Sequence, residues 1–151
     1  MAIATGTMTV TITESLDVGT TVMDTATSVA TTITVNDIFK RVITCPTSEI
    51  TLYTTHASAV AGAQFDEDKI AYVRVTNHGS QFVTLRLTDA ESNEFVYKLE
   101  ATKSFILGTH KTAMSAKDTT DTGAVDADIV SMEAQADTAA CDLEILIASV
   151  A

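Results

Sequence analysis

The chain has 151 residues, 46% of them hydrophobic and 19% charged, with 9 basic against 20 acidic side chains and a net charge of −11. That apolar fraction is enough for a folded core and excludes intrinsic disorder. The acidic balance excludes a nucleic-acid binder, whose affinity comes largely from Lys and Arg on phosphates, and disfavours anionic membrane surfaces.

Thr and Ala dominate, Trp is absent, and Pro46 is the only proline. The β-branched Thr side chain suits a pleated surface, so strands are expected rather than a helical bundle. In chain order, Met8, Val10 and Ile12 alternate with Thr9, Thr11 and Thr13, which predicts a half-buried strand over 8–13. A weaker strand is expected at 20–23. Another is expected at 31–35, where Ile33 and Val35 alternate with threonines before Asn36-Asp37 interrupts the pattern. Strands at 38–44 and 49–55 flank the turn Cys45-Pro46-Thr47-Ser48, because proline pre-sets φ and removes a ladder donor.

Residues 56–68 are small, then acidic, and read as a loop. Strands follow at 69–77, 81–89 and 93–100, with a short apolar one at 103–107. Residues 108–127 are polar and acidic and read as a long surface loop. A strand with imperfect alternation is expected at 128–137. The last, at 142–149, places Leu143, Ile145 and Ile147 on one face. About ten short strands with turn signals roughly every 8–12 residues predict an all-β chain. The expected fold is an antiparallel β-sandwich, with the jelly roll as one form of it, in a single domain over 1–151. The short apolar termini, MAIAT and ILIASVA, are candidates for contacts between subunits, where each could add a strand to a neighbour's sheet edge.

Residues 69–111 carry 6 basic and 4 acidic groups, whereas both flanks are acidic. This block contains YVRVTNHGSQFVTLRLTD (72–89), which reads as a hairpin centred on Gly79, where a missing Cβ permits positive φ. Keeping core residues opposite one another pairs Val75 with Val83 and Val73 with Leu85. The other face then pairs Arg74 with Thr84 and Tyr72 with Arg86. A second hairpin through Ala90–Asn93 brings Phe95, Tyr97 and Leu99 to the core face and Lys98 to the outer one. Tyr72, Arg74, Arg86 and Lys98 are therefore expected to share an outer face, a candidate protein-contact surface because Arg and Tyr are favoured at interfaces. An ordinary polar sheet face is the competing reading.

Catalytic equipment is not evident. His56, His78 and His110 fall in expected loops, and there is no G-x-S-x-G elbow and no phosphate-binding glycine loop. Asp118, Asp121, Asp126 and Asp128, and separately Asp66, Glu67 and Asp68, are acidic enough for calcium but lack the EF-hand spacing. A solvated acidic surface is the plainer reading. Aromatic residues make up only 5% of the chain, few for a catalytic cleft with paired carboxylates, and the absence of Trp counts against sugar stacking. No enzyme, cofactor or metal is expected. Cys45 and Cys141 match no metal spacing and read as small buried apolar side chains. A disulfide between them would require their strands to be neighbours.

Four stretches carry a resemblance: VNDIFKRVITCPTSEI (35–50), IAYVRVTNHGSQFVTLRLTD (70–89), the run EFVYKLEATKSFIL (94–107) and ADTAACDLEILIAS (136–149). Together they resemble a family of small virion structural proteins of tailed bacteriophages. The resemblance implies a virion component, assembled in the host cytoplasm, that coats or joins other proteins. A capsid decoration (cement) protein is the first expectation, binding the major capsid protein as a closed homo-oligomer, with a trimer suited to a local three-fold axis. A tail or head–tail connector component is the alternative within that class. Outside it stands a calcium- or carbohydrate-binding β-sandwich, with a jelly-roll hydrolase further off. The family carries no catalytic residues to transfer.

Overall fold

The computed structural model describes residues 5–18, 21–57, 65–108 and 128–150. The chain divides into two compact units, Met1–Asn36 and Asp37–Ala151. Every described element is a strand or a turn.

The first unit is an antiparallel ribbon of β1 (Gly6–Val18) and β2 (Thr21–Val35). Its register opposes Met8 to Ile33, Val10 to Thr31 and Ile12 to Val29, with a bulge between Glu14 and Leu16. Thr9, Thr11 and Thr13 occupy the other face, opposite Thr32, Ala30 and Ser28. The period of two at 8–13 is therefore real, but half-burial within a sandwich is not its cause. These strands pair with each other in a sheet of two, and Ile12 and Val29 are 52% and 58% exposed. The expected piece at 31–35 and residues 21–23 of that expected at 20–23 are parts of one strand, and residue 20 lies outside the described residues.

The second unit holds β3 (Asp37–Cys45), β4 (Ile50–His56), β5 (Phe65–Asp66), β6 (Ile70–Asn77), β7 (Val83–Asp89), β8 (Glu94–Leu99), β9 (Ser104–Leu107), β10 (Ile129–Ala136) and β11 (Cys141–Ser149). They form a four-stranded sheet, β3-β11-β6-β9, and a five-stranded one, β5-β4-β10-β7-β8. With the two-residue β5 set aside, the eight strands in chain order lie 1-8-3-6 in one sheet and 2-7-4-5 in the other. This is the jelly roll, two interleaved Greek keys closed face to face. All pairings are antiparallel except the short β4–β5 pair.

The core lies between the two sheets. Val73 and Val75 of β6, Leu143, Ile145 and Ile147 of β11, and Phe105 and Leu107 of β9 meet Val83, Leu85 and Leu87 of β7, Met132 of β10 and Leu99 of β8. Large and small residues alternate at register partners, as where Ala134 and Ala136 of β10 sit beside Leu85 and Val83. A fully buried Val, Leu, Ile or Met each contributes about 1.5–3 kcal/mol, so this layer is the main source of stability. The uneven alternation near Ile129 has a cause. A bulge between Ile129 and Ser131 shifts the register, so that Ile129 and Met132 both turn inward.

The expected hairpin over 72–89 does not form. β6 pairs with β11 and β9, whereas β7 pairs with β10 and β8, so the two strands lie in opposite sheets. Residues 78–82 are a corner between sheets. Parity alone could not separate these arrangements, because the same valines and leucines point inward whether β6 and β7 pair side by side or face each other across the core. The hairpin through Ala90–Asn93 does form, opposing Leu85 to Tyr97 and Val83 to Leu99. Leu99 is buried, Phe95 half-buried, and Tyr97 exposed at 38%, since β8 is an edge strand.

Asn77 fastens the corner. Fully buried, its Nδ2 donates to the carbonyls of Gln81 (2.7 Å), Leu99 and Glu100 (3.3 Å each), and its Oδ1 accepts from Gly79 N at 2.8 Å. It thereby ties the end of β6 in one sheet to the end of β8 in the other. Gly79 serves close approach rather than positive φ: a Cβ there would stand 2.3 Å from Cys141 Cβ. The left-handed backbone falls instead at Ser92 (φ 68°) and Thr102 (φ 63°).

Candidate interaction surfaces

Along each strand of the second unit the residues between core positions point outward, so each sheet presents one outer face. On the four-stranded sheet, register stacks these residues in rows across the strands. One row is Ile38, Ala148 and Tyr72; the next is Lys40, Leu146, Arg74 and Ile106; the third is Val42, Glu144, Thr76 and Ser104. Glu144 bridges two strands. Its Oε1 accepts from Arg74 at 2.5 Å, and its Oε2 lies 3.0 Å from Lys40 Nζ. The hydrogen bond from Lys40, reinforced by that from Arg74 and opposed by partial burial, holds the Glu144 carboxyl below its ordinary range. Tyr72 and Ala148 are buried, and burial pushes the Tyr72 phenol up, against the pull of Arg74.

Beside this ion-pair group and the Thr76–Ser104 hydroxyl pair, the face carries apolar side chains. Ile38, Val42 and Ile106 are 52%, 57% and 42% exposed, with Leu146 half-buried between them. β3 is also an edge strand, and Arg41 on its inward side remains exposed. An inward charge on an edge discourages stray strand addition.

The outer face of the five-stranded sheet is different. Arg86 lies among three carboxylates: Glu49 at 2.5 Å, Glu94 at 2.9 Å and Glu133 at 3.9 Å. Arg86 Nε and Glu133 Oε2 are buried without a hydrogen-bond partner, as is the hydroxyl of Tyr53. Burial, and after it the negative Glu133, pushes the Tyr53 phenol well above its usual range. Lys98, the neighbour of Arg86 through the Thr84–Lys98 pairing, sits 2.7 Å from Glu100 and 4.3 Å above the ring of Phe82.

Of the four residues expected on one face, the structure brings Arg86 and Lys98 together and puts Tyr72 and Arg74 on the opposite sheet. Both arginines are neutralised by carboxylates of the chain itself. Residue-by-residue reasoning missed those carboxylates, because Glu144 and Glu133 become neighbours only through strand order. It also missed the exposed row on β3, although a signal was present. IFKRVIT carries apolar residues at both parities, Ile38 and Val42 as well as Phe39 and Ile43, which a strand with one wet face does not need.

Among the described residues, no group of three or more His, Cys, Asp or Glu is placed to hold a metal ion. Asp118, Asp121, Asp126, His110 and the rest of the loop expected at 108–127 beyond Gly108 lie outside the described residues. Asp128 opens the segment leading into β10, its carbonyl accepting from Ala90 N at 3.0 Å.

Fold and surfaces together define an acidic jelly-roll module, one outer sheet face of which mixes an ion-pair group with exposed apolar side chains, and a β-ribbon with one apolar face. No protein family model matches the sequence, and no curated protein is significantly similar to it.

Proposed function

We propose that this chain is a virion structural protein of a tailed bacteriophage, a capsid decoration protein that binds the assembled shell and stabilises it. The observation that carries this reading is the exposure of Ile38 and Val42 on one edge strand and of Ile106 on the other, on the same outer sheet face of a well-packed sandwich. Several large apolar side chains exposed on one sheet face are the feature a contact surface would use. Covering them contributes about 25 cal/mol per Å², and the gain is repeated at each copy. The sequence resemblance supplies the class of partner, the major capsid protein. The jelly roll is compatible with it, being one of the folds from which capsid proteins are built, although a fold alone does not fix a function. A closed homo-oligomer, a trimer at a local three-fold axis, suits such a module.

Quantitative mass spectrometry of purified phage particles tests the proposal. Hundreds of copies per particle are expected of a decoration protein. Copy numbers near a dozen would assign the chain to the neck or baseplate, and absence from washed particles would overturn the reading.

A further inference from the structure

We infer that Cys45 and Cys141 are the two halves of a redox-formed cross-link that clasps the edge strand β3 to β11. The two residues are direct register partners of the antiparallel β3–β11 pair, so their side chains leave the same face of the sheet. Opposed residues in such a pair have Cα atoms about 4.5–5.5 Å apart, inside the roughly 4.4–6.8 Å that a disulfide spans. They are the only cysteines of the chain, and both are free and buried. Each thiol therefore has one possible intramolecular partner, already opposite it. Pro46, next to Cys45, anchors the end of β3, its carbonyl accepting from Ala136 N at 2.9 Å and from Cys45 Sγ at 3.7 Å. The pairing thus sits where the strand leaves one sheet for the other.

The chemistry requires an oxidant, and a small-molecule disulfide suffices. Cys141, the less buried of the two, attacks as its thiolate one sulfur of that disulfide and forms a mixed disulfide, releasing one thiolate. Cys45 then displaces the second, leaving the Cys45–Cys141 bond and two reduced thiols, which take up the two protons the cysteines lost. Burial and the neighbouring sulfur push the Cys45 thiol up to about 11, so reaction at neutral pH is slow and proceeds through opening of the edge strand. A chain made in a reducing cytoplasm would start as the dithiol and close once in oxidising surroundings. That last step, alone, rests on the proposed virion role. The cross-link itself does not.

The test uses the purified full-length protein, incubated with oxidised glutathione at about pH 8, then denatured, alkylated and weighed intact. The expected product is monomeric, lighter than the dithiol by about 2 Da, unreactive at both cysteines and reversed by reductant. Its Tm should rise by about 5–15 °C, because the bond closes a long loop. Cys45→Ser and Cys141→Ser should each abolish the light species. Glutathione adducts on the wild type, disulfide-linked dimers, or an unchanged dithiol after prolonged incubation would overturn the inference. None of these outcomes bears on copy number in particles, so the two proposals fail separately.

Discussion

Arg74 and Arg86 point to opposite sides of the sandwich, the first bound to Glu144 on the four-stranded sheet and the second to Glu49 and Glu94 on the five-stranded sheet. Glu144 is the centre of the first ion-pair group, joining Arg74 and Lys40, and Arg86 is the centre of the second, so reversing either arginine acts on the fold before it acts on any partner. Arg86→Glu sets a fourth carboxylate among Glu49, Glu94 and Glu133. It should lower stability by about 1–2 kcal/mol, read as a drop in urea midpoint that shrinks when salt is added. An unchanged midpoint at low salt would show that this cluster contributes nothing to the fold.

Glu144 should give the protein part of its acid sensitivity. Its carboxyl is held below the ordinary value of 4.5 by Lys40 and Arg74. A depressed folded-state value means that its stabilising contribution is fully present above about pH 4.5 and is lost as the pH falls through the lower folded value. Glu144→Gln should therefore lower the Tm at pH 7, with the gap to wild type closing below pH 4.5. A gap independent of pH would assign the loss to packing.

Asn77→Ala removes a buried side chain that satisfies three carbonyls and one N–H. The Leu99 contact is buried and the others part-buried, with the Glu100 carbonyl still accepting from Lys103 N, so a loss of about 1–3 kcal/mol is expected, seen as a lower urea midpoint with unchanged m. A loss below about 1 kcal/mol would mean that water replaces the amide without cost.

Thr102 is a β-branched residue in the left-handed region, at φ 63°. Thr102→Gly should raise stability by about 1 kcal/mol by relieving that conformation, and Thr102→Ala by less. Thermal melts of the three proteins check the order, which would be reversed if the Thr102 side chain made a stabilising contact.

Ile38→Glu and Val42→Glu fall at exposed outward positions of β3, so each should change monomer stability by no more than about 0.5 kcal/mol. The same changes should strip the protein from particles in a sedimentation assay. Full retention on the shell would move the contact surface elsewhere, the apolar face of the β1–β2 ribbon being the next to mutate.

Much of the fold was legible. Alternation over 49–55, 81–89 and 142–149, with apolar runs of both parities at 38–44 and 69–77, located five strands of the sandwich within a residue or two, and Pro46 located the turn that crosses from one sheet to the other. The candidate surface was less legible. The outward parity of Arg74, Arg86 and Lys98 was correct, yet their grouping was not, because grouping depends on which strands are neighbours.

Alternation along a strand states which side is buried, since successive side chains leave opposite faces of the pleat, and it determined by itself that this chain is all-β with strands buried on one side. It does not state whether the buried side of β6 meets β7 beside it or across the core, because either choice buries Val73, Val75, Val83 and Leu85 and satisfies the backbone. Tertiary structure decided that. It set β11 between β3 and β6, brought Glu144 to Arg74 and Cys45 to Cys141, and left β1 and β2 as a ribbon of their own.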